Sequence, residues 1–399
     1  MCITPLARDM SLLFFLLCTL AVSSSNKVFI GYYSYDRATA PAGCAITPED
    51  IPVDKYTHLI WSFATFNSTS GIIDPIEGDL ITRFTNLKKK NPALKTMASF
   101  GGAGLDPSQW TNLTKTASVR ETFINDSIRW LRQYNLDGID IDWEYPSEVD
   151  VPAVVPLFKG LWDAYHAESI STNRSRLIIT SAAVAGNWEL DYYQPTIIQN
   201  YLDYFNLMLY DFYGTWMPTT GPLAPLYGNV SIDLDIHTCV NDYLNRNVSI
   251  SKLVFGFPNY AATWTVSPSQ NYLYAPSNGT GGDAGRCTNY SGQISATELA
   301  DVLSNHVGQE KWDDMSKTPY LIYGDQFLSY ENKRSIDLKL DYLISMGFPG
   351  GMMWVVDSNT RVSDQVWNRL NPVTTTTTGM GSKMLQLCVT TLLLSFLFV

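Results

Sequence analysis

Three carboxylates, Asp140, Asp142 and Glu144, stand two residues apart in the segment LDGIDIDWEYP, residues 136–146. The residues between them are apolar, and this alternation predicts a β-strand whose acids share one face. Like charges on a buried face cost free energy unless they share protons or hydrogen bonds. A solvated acidic surface strand is the alternative, but Trp, Tyr and Pro crowd the same segment. The pattern therefore favours an acid/base site at the end of a strand.

The spacing of Asp142 and Glu144 limits the chemistry that they can perform. Residues i and i+2 of a strand lie roughly 6.5–7 Å apart at Cα and on one face. A pair of catalytic acids that flanks a glycosidic bond needs a different arrangement. Two adjacent carboxylates instead resist double ionisation, so one keeps a proton near neutral pH. We therefore expect one proton donor tuned by its neighbour, with a nucleophile from elsewhere, such as the substrate itself.

The segment DGIDIDWEYP resembles the DxxDxDxE signature of glycoside hydrolase family 18, the chitinases. The resemblance implies that Glu144 protonates the glycosidic oxygen and that Asp142 turns to hold the N-acetamido group of the substrate. The acetamido carbonyl then attacks the anomeric carbon, which gives an oxazolinium intermediate and retention of configuration. Asp140 would support Asp142 from below, and Asp137 would be structural.

Other motifs extend this resemblance along the chain. MLYDFYG (208–214) is similar to the M-x-Y-D motif of the sixth strand, which implies that Tyr210 and Asp211 bond the acetamido carbonyl and the sugar. SFGG (99–102) matches the S-x-G-G motif, for which we expect a structural role. A Met, Tyr or Trp at such positions is otherwise a core residue. The resemblance assigns Tyr210 to the catalytic group and implies these substrate-binding residues: Tyr32, Phe63, Met208, Asp211, Tyr260 and Trp354.

The chain also departs from the family pattern. Gly31 and Tyr56 stand where animal members have a disulfide, so both halves are missing together. Ala262 replaces an arginine and Ala103 replaces a tryptophan that usually help to hold longer sugar chains. Both replacements put the affinity for distal sugars in doubt.

Eight apolar segments alternate with amphipathic stretches such as 119–134 and 331–346, a pattern typical of α/β folds. Together with the resemblance to family 18, this alternation predicts a (β/α)8 TIM barrel over residues 26–371. The stretch from about 259 to 325 is too long for a loop and resembles the small α+β insertion between strands seven and eight. The expected strands are 27–35, 57–66, 95–102, 136–146, 177–185, 204–212, 252–258 and 349–357.

Composition excludes several other functions. The formal net charge of the 399 residues is −11, and the largest basic run is KKK at 88–90, so we expect no nucleic-acid partner. The sequence suggests no Ser–His–Asp triad and no set of residues at metal-ligand spacing, so we expect no metal and no cofactor. We also expect the protein to be a monomer. The four histidines are expected to be packing or surface residues: His58, His166, His237 and His306.

The N-terminus predicts secretion. Residues 1–25 have the positive start, the apolar run and the small residues of a signal peptide. Between the terminal segments, Cys44, Cys239 and Cys287 allow at most one internal disulfide, and the sequence does not say which. Eight N-x-S/T sequons predict a glycoprotein: Asn67, Asn112, Asn125, Asn173, Asn229, Asn247, Asn278 and Asn289.

Together these features predict a secreted chitinase that hydrolyses β-1,4-linked N-acetylglucosamine polymers. The main alternative is a chitin-binding lectin on the same barrel, although such relatives typically lack the glutamate that is Glu144 here. A hydrolase of N-glycan cores or of lipo-chitooligosaccharides, and a structural cell-surface glycoprotein, are further alternatives.

The C-terminal residues predict attachment to the outer membrane surface. Residues 372–383 contain a run of threonines, typical of an O-glycosylated or flexible stalk, and 384–399 form an apolar tail. The uncharged run 385–399 would make about 22 Å of helix, short of a bilayer core of roughly 30 Å. Small residues, a polar spacer and a terminal apolar tail indicate a glycosylphosphatidylinositol attachment signal. A plain hydrophobic tail anchor is the alternative.

We expect phosphatidylinositol-specific phospholipase C to release the protein from the surface of intact cells, because lipid would be its only attachment. Released protein is measured by immunoblotting of the medium. Protein that stays in the membrane and retains peptide from residues 385–399 would show that the tail itself is the anchor.

Overall fold

The computed structural model describes residues 27–186, 189–228, 234–270, 272–307 and 309–372. Eight parallel strands close into a barrel in which each strand pairs with its neighbours in chain order, and the eighth returns to the first. The predicted (β/α)8 barrel is therefore confirmed. Its strands are β1 (Val28–Ser34), β2 (His58–Ala64), β3 (Lys95–Gly101), β4 (Gly138–Asp142), β5 (Ile178–Ala183), β6 (Tyr204–Leu207), β7 (Leu253–Pro258) and β13 (Gly350–Trp354).

Helices cover the outside of the barrel. The predicted segments 119–134 and 331–346 correspond to α3 (Ala117–Gln133) and α9 (Lys333–Met346). Helix α9 begins where the Asn332 side chain accepts a hydrogen bond from the Ser335 amide, and it ends at Gly347 with φ +84°. The other helices are α1 (Leu80–Thr85), α2 (Ser108–Lys115), α4 (Val151–Thr172), α5 (Leu190–Tyr193), α6 (Pro195–Ile198), α7 (Ile236–Asn245), α8 (Ala296–Asn305) and α10 (Arg361–Leu370).

The register of the central strands positions the acidic motif. Ser99 of β3 and Thr180 of β5 both pair with Asp140 of β4. Side chains in register on neighbouring strands point to the same face, so both hydroxyls reach the same carboxylate. A β-carbon at Gly138 would lie 2.5 Å from the backbone oxygen of Ile178, which makes glycine necessary at the start of β4.

The part of the sequence between β7 and α9 forms a second, antiparallel sheet. Its strand order is β10–β11–β12–β8–β9, and α8 follows β9. The predicted α+β insertion is thus present, although the expected end at residue 325 falls before its last strand. The strands are β8 (Tyr260–Thr265), β9 (Gln293–Ser295), β10 (Lys311–Asp313), β11 (Thr318–Tyr323) and β12 (Gln326–Ser329).

The cysteine pairing, which the sequence left open, is Cys44 with Cys287. This disulfide joins the loop after β1 to the insertion, and Cys239 is buried and unpaired in α7. Gly31 and Tyr56 are close neighbours, since a β-carbon at Gly31 would lie 2.7 Å from the Tyr56 ring. Tyr56 therefore packs against Gly31 at the position where the resemblance places a disulfide in animal family members.

The predictions for the termini concern segments that the structure does not describe. Residues 1–25, nearly all of 372–383, the tail 384–399 and the sequon Asn229 lie outside the described residues. Within the described part of the chain, each helix is too short or too polar to cross a bilayer.

Candidate active site

A cavity of about 790 Å³ opens at the carboxyl ends of the barrel strands. This is the end at which barrel enzymes place their active sites. The structure gathers at this cavity eight of the ten residues proposed from the sequence, and the two others lie directly behind its wall. The eight are Tyr32, Phe63, Asp142, Glu144, Met208, Tyr210, Asp211 and Trp354.

Asp140 is fully buried beneath the cavity and accepts four hydrogen bonds. Its Oδ2 accepts from Tyr32 Oη at 3.0 Å and Ser99 Oγ at 2.7 Å. Its Oδ1 accepts from Thr180 Oγ1 at 2.6 Å and Asn206 Nδ2 at 3.3 Å. Burial raises the pKa of Asp140, and these donors act in the opposite direction by stabilising the carboxylate. Donors from four strands thus hold the Asp140 carboxyl group in a defined position under the cavity floor.

Asp142 and Glu144 form a hydrogen-bonded pair at the floor of the cavity. Burial, followed by the charges of Glu144 and Asp140, holds the pKa of Asp142 well above its ordinary value. Burial also raises the pKa of Glu144, against hydrogen bonds from Asp142, Tyr145 and the Ala103 amide. A hydrogen bond between two carboxyl groups needs a proton on one of them, so this arrangement favours the singly protonated state of the pair. Asp142 Oδ1 is buried and has no hydrogen-bond partner within the part of the chain that the structure describes.

Two glycines let β3 approach this pair closely. The Gly102 amide donates to the backbone oxygen of Asp142 at 2.9 Å. Gly101 has φ +120°, and a β-carbon there would lie 1.7 Å from that oxygen. The S-x-G-G motif is thus structural at its glycines. Its serine, Ser99, is part of the site, which the sequence did not indicate.

The Met208–Asp211 segment lies beyond the end of β6, which is shorter than the predicted strand 204–212. Asp211 adopts φ +58°, a left-handed conformation that aspartate tolerates better than most residues. Asp211 lines the cavity, and its burial raises its pKa to about 6. Tyr260 Oη donates to Asp211 Oδ1 at 2.6 Å. Tyr260 therefore lies behind the wall of this cavity, where it contacts Asp211.

Aromatic rings form one wall of the cavity. The ring of Trp354 lies 5.6 Å from that of Phe63 and 5.5 Å from that of Tyr32, centroid to centroid. A β-carbon at Gly102 would lie 2.4 Å from the Phe63 ring, so this glycine also makes room for the wall. Flat, mostly apolar surfaces of this kind suit the apolar face of a sugar ring.

Several residues of the site were not identified from the sequence. Ser99, Thr180 and Asn206 hold Asp140, and only their register on β3, β5 and β6 reveals this role. Tyr145 hydrogen-bonds Glu144, and its place in the WEYP motif was a usable signal. Trp216 lines the cavity with 66% of its surface exposed, which no periodic pattern predicts.

A further carboxylate, Glu189, lies near the pair on the segment after β5. Its Oε2 is buried without a hydrogen-bond partner among the described residues. Burial, and secondarily the charge of Glu144, raises the pKa of Glu189 to about 7. Within the described residues, no group of three His, Cys, Asp or Glu side chains is arranged to hold a metal ion. The histidines lie away from the cavity; His166 packs on Trp162 and His306 on Tyr323.

The barrel, the strand-end acids and the aromatic wall agree with a comparison to known families. The family model described as "Glycosyl hydrolases family 18" matches residues 28–359 of this chain. The chain therefore belongs to glycosyl hydrolase family 18.

Among curated relatives, Chitotriosidase-1 of Mus musculus is 31% identical over 323 residues, covering 78% of this chain and 68% of the relative. A probable endochitinase of Caenorhabditis elegans is also 31% identical, over 330 residues, but only 52% of its length is matched. The chain thus spans about half the length of the nematode relative.

Solved structures of chitinase-like proteins share the fold. The immunomodulatory chitinase TsES1 of Trichuris suis has a TM-score of 0.79 at 27% identity, covering 82% of this chain and 92% of its own. Human YKL-39 has a TM-score of 0.80 at 26% identity, covering 87% and 100%. YKL-39 is described as a pseudo-chitinase with retained chitooligosaccharide binding, so the fold is shared by proteins with and without activity.

The raised pKa of Glu189 predicts a pH dependence of stability. Between about pH 4.5 and pH 7 the folded chain holds a proton on Glu189 that the unfolded chain has lost. The free energy of unfolding therefore falls as pH rises through this window. Glu189→Gln cannot lose a proton, so it avoids this pH-dependent destabilisation. The difference in melting temperature, variant minus wild type, should therefore increase as pH rises from about 4.5 to about 7.5. Differential scanning calorimetry measures this difference.

Glu121→Gln is the control, because it removes one carboxylate from an exposed position of α3. A difference between Glu189→Gln and the wild type that is constant across the pH range would contradict the assignment.

Proposed function

We propose that this protein hydrolyses β-1,4-linked N-acetylglucosamine in chitin and chitooligosaccharides, with retention of configuration. The observation that supports this most is the hydrogen-bonded Asp142–Glu144 pair at the floor of an aromatic-lined cavity, where burial raises the pKa of both acids. The buried Asp142 Oδ1 without a partner is an acceptor that an acetamido N–H could satisfy.

In the first step Glu144 donates its proton to the glycosidic oxygen, and the bond from that oxygen to the anomeric carbon breaks. The acetamido carbonyl oxygen of the same sugar attacks the anomeric carbon, while Asp142 accepts a hydrogen bond from the acetamido N–H. In the second step Glu144, now a carboxylate, takes a proton from water as the water opens the oxazolinium ring. The adjacent positions of the two acids support this route, because they cannot flank the bond from opposite sides.

The remaining predicted residues take supporting roles in this proposal. Tyr210 donates to the acetamido carbonyl oxygen, and Asp211 bonds a sugar hydroxyl. Trp354 stacks on the sugar, with Tyr32 and Phe63 packed against its ring. Met208 completes the apolar lining, and Tyr260 positions Asp211. Asp140 maintains the negative charge that raises the pKa of Asp142.

Sugar binding without hydrolysis is a second candidate, because the similar structure of YKL-39 belongs to a pseudo-chitinase. The presence of Glu144 with a raised pKa favours the enzyme. Hydrolysis of N-glycan cores or lipo-chitooligosaccharides would use the same acids. We further propose that the protein acts outside the cell, held on the surface by a lipid anchor.

Glu144→Gln tests the proposed acid. The substitution keeps the shape of the side chain and removes the proton donor, so turnover of chitotriose should fall about 10²–10⁴-fold. Binding of chitotriose, measured by isothermal titration calorimetry, should persist. The control is Glu148→Gln, an exposed glutamate just after the motif, which should retain turnover. Wild-type turnover in Glu144→Gln would exclude Glu144 as the acid.

Substrate choice tests the proposed nucleophile. If the acetamido group attacks the anomeric carbon, fully deacetylated chitosan and cellulose should both resist cleavage, since neither carries that group. Release of reducing ends from chitin, chitosan and cellulose at equal mass measures the difference. Comparable rates on cellulose and chitin would rule out assistance by the substrate.

A further inference from the structure

Two peptide planes separate the carboxylates Asp142 and Glu144, and each plane is held by a donor from another part of the chain. The Gly102 amide donates to the backbone oxygen of Asp142 at 2.9 Å. Strand β4 ends at Asp142, so the carbonyl of Trp143 lies beyond the ladder of the barrel strands. There the Tyr193 hydroxyl donates to the backbone oxygen of Trp143.

These two hydrogen bonds fix the backbone between the acids. A peptide bond is planar, so a hydrogen bond that holds its carbonyl oxygen also orients the amide nitrogen and the next Cα. The bond from Gly102 holds the plane between Asp142 and Trp143, and the bond from Tyr193 holds the plane between Trp143 and Glu144. The hydrogen bond between the Asp142 and Glu144 side chains therefore depends on both donors.

The environment of Tyr193 suits it to this role. Tyr193 is 3% exposed and lies on the short helix α5, which follows β5. Leu190, three residues earlier on the same face of α5, is also buried, so this face packs onto the protein. Burial holds the pKa of Tyr193 well above its ordinary value, so the hydroxyl keeps its proton and remains a donor.

A second contact attaches the end of α5 to the chain that follows the acids. Gln194 Nε2 donates to the backbone oxygen of Val151 at 2.6 Å, and Val151 is the first residue of α4. Gln194 has φ +50°, which turns the chain between α5 and α6. Gln194 therefore holds α5, and with it the Tyr193 ring, against the segment that joins β4 to α4.

We propose that Tyr193 is a positioning residue for the hydrolysis: through the backbone oxygen of Trp143, its hydroxyl sets the orientation of Glu144 toward the glycosidic oxygen. This inference rests on the proposed function and concerns a residue outside the lining of the cavity. Loss of the hydroxyl should therefore slow the chemical step and leave sugar binding intact.

Tyr193→Phe tests this role, because it removes the hydroxyl and keeps the buried ring. We expect kcat for chitotriose to fall about ten- to a hundredfold, since a small displacement of a catalytic group costs this much, with KM unchanged. Steady-state release of reducing ends measures both constants.

The matched control is Tyr33→Phe. Tyr33 is also buried, and its hydroxyl donates to the backbone oxygen of Ile46 at 2.9 Å. This control should lower the melting temperature to a similar extent as Tyr193→Phe, because each variant leaves one backbone oxygen without its donor. It should keep the wild-type kcat.

Wild-type kcat in Tyr193→Phe would overturn the inference. A raised KM at constant kcat would overturn it too, because the hydroxyl would then act on binding. So would an equal fall of kcat in Tyr33→Phe, because lost stability would then explain both. If Tyr193→Phe does not fold, Gln194→Asn decides: it tolerates the positive φ but is too short to reach Val151, and wild-type kcat in it would overturn the inference. If the wild-type protein itself releases no reducing ends, the proposed function fails and the inference fails with it.

Discussion

The confinement of negative charge at one end of the barrel is the constraint that organises this structure. Asp140 is fully buried, and Asp142 and Glu144 follow it at the end of β4. Moving carboxylates out of water is costly unless donors replace the lost hydration. Here the donors to Asp140 come from β1, β3, β5 and β6, so the closure of the barrel itself supplies them. The acids and the barrel thus depend on each other.

The same confinement determines how charge is neutralised in the site. Among the described residues that line the cavity there is no Lys, Arg or His. Asp211 and Glu189 add further carboxylates nearby, and burial raises the pKa of both. With no cation among these lining residues, burial and mutual repulsion favour the protonated forms of the acids, and a general acid acts from its protonated form. The raised pKa values and the proposed chemistry therefore have one physical cause.

The rim of the barrel is built by different means from its floor. Ala103, where the family pattern has tryptophan, is exposed at the cavity. Ala262, where the pattern has arginine, is buried within β8. The contacts that these larger residues would provide are absent at both positions. The rim instead carries a loop joined to the insertion by a disulfide and by Asp357.

The sequence by itself determined the elements and the acidic motif, because these are local: period-two alternation positions Asp140, Asp142 and Glu144, and apolar runs alternate with amphipathic helices. The family motifs extended this to eight of the residues that line the cavity. Only the tertiary structure decided the donors to Asp140, the position of Tyr260 behind Asp211, the pairing of Cys44 with Cys287, and the proximity of Glu189 to Glu144. Each of these joins residues from separate strands or loops, and such contacts are determined by register and barrel closure, which no local pattern encodes.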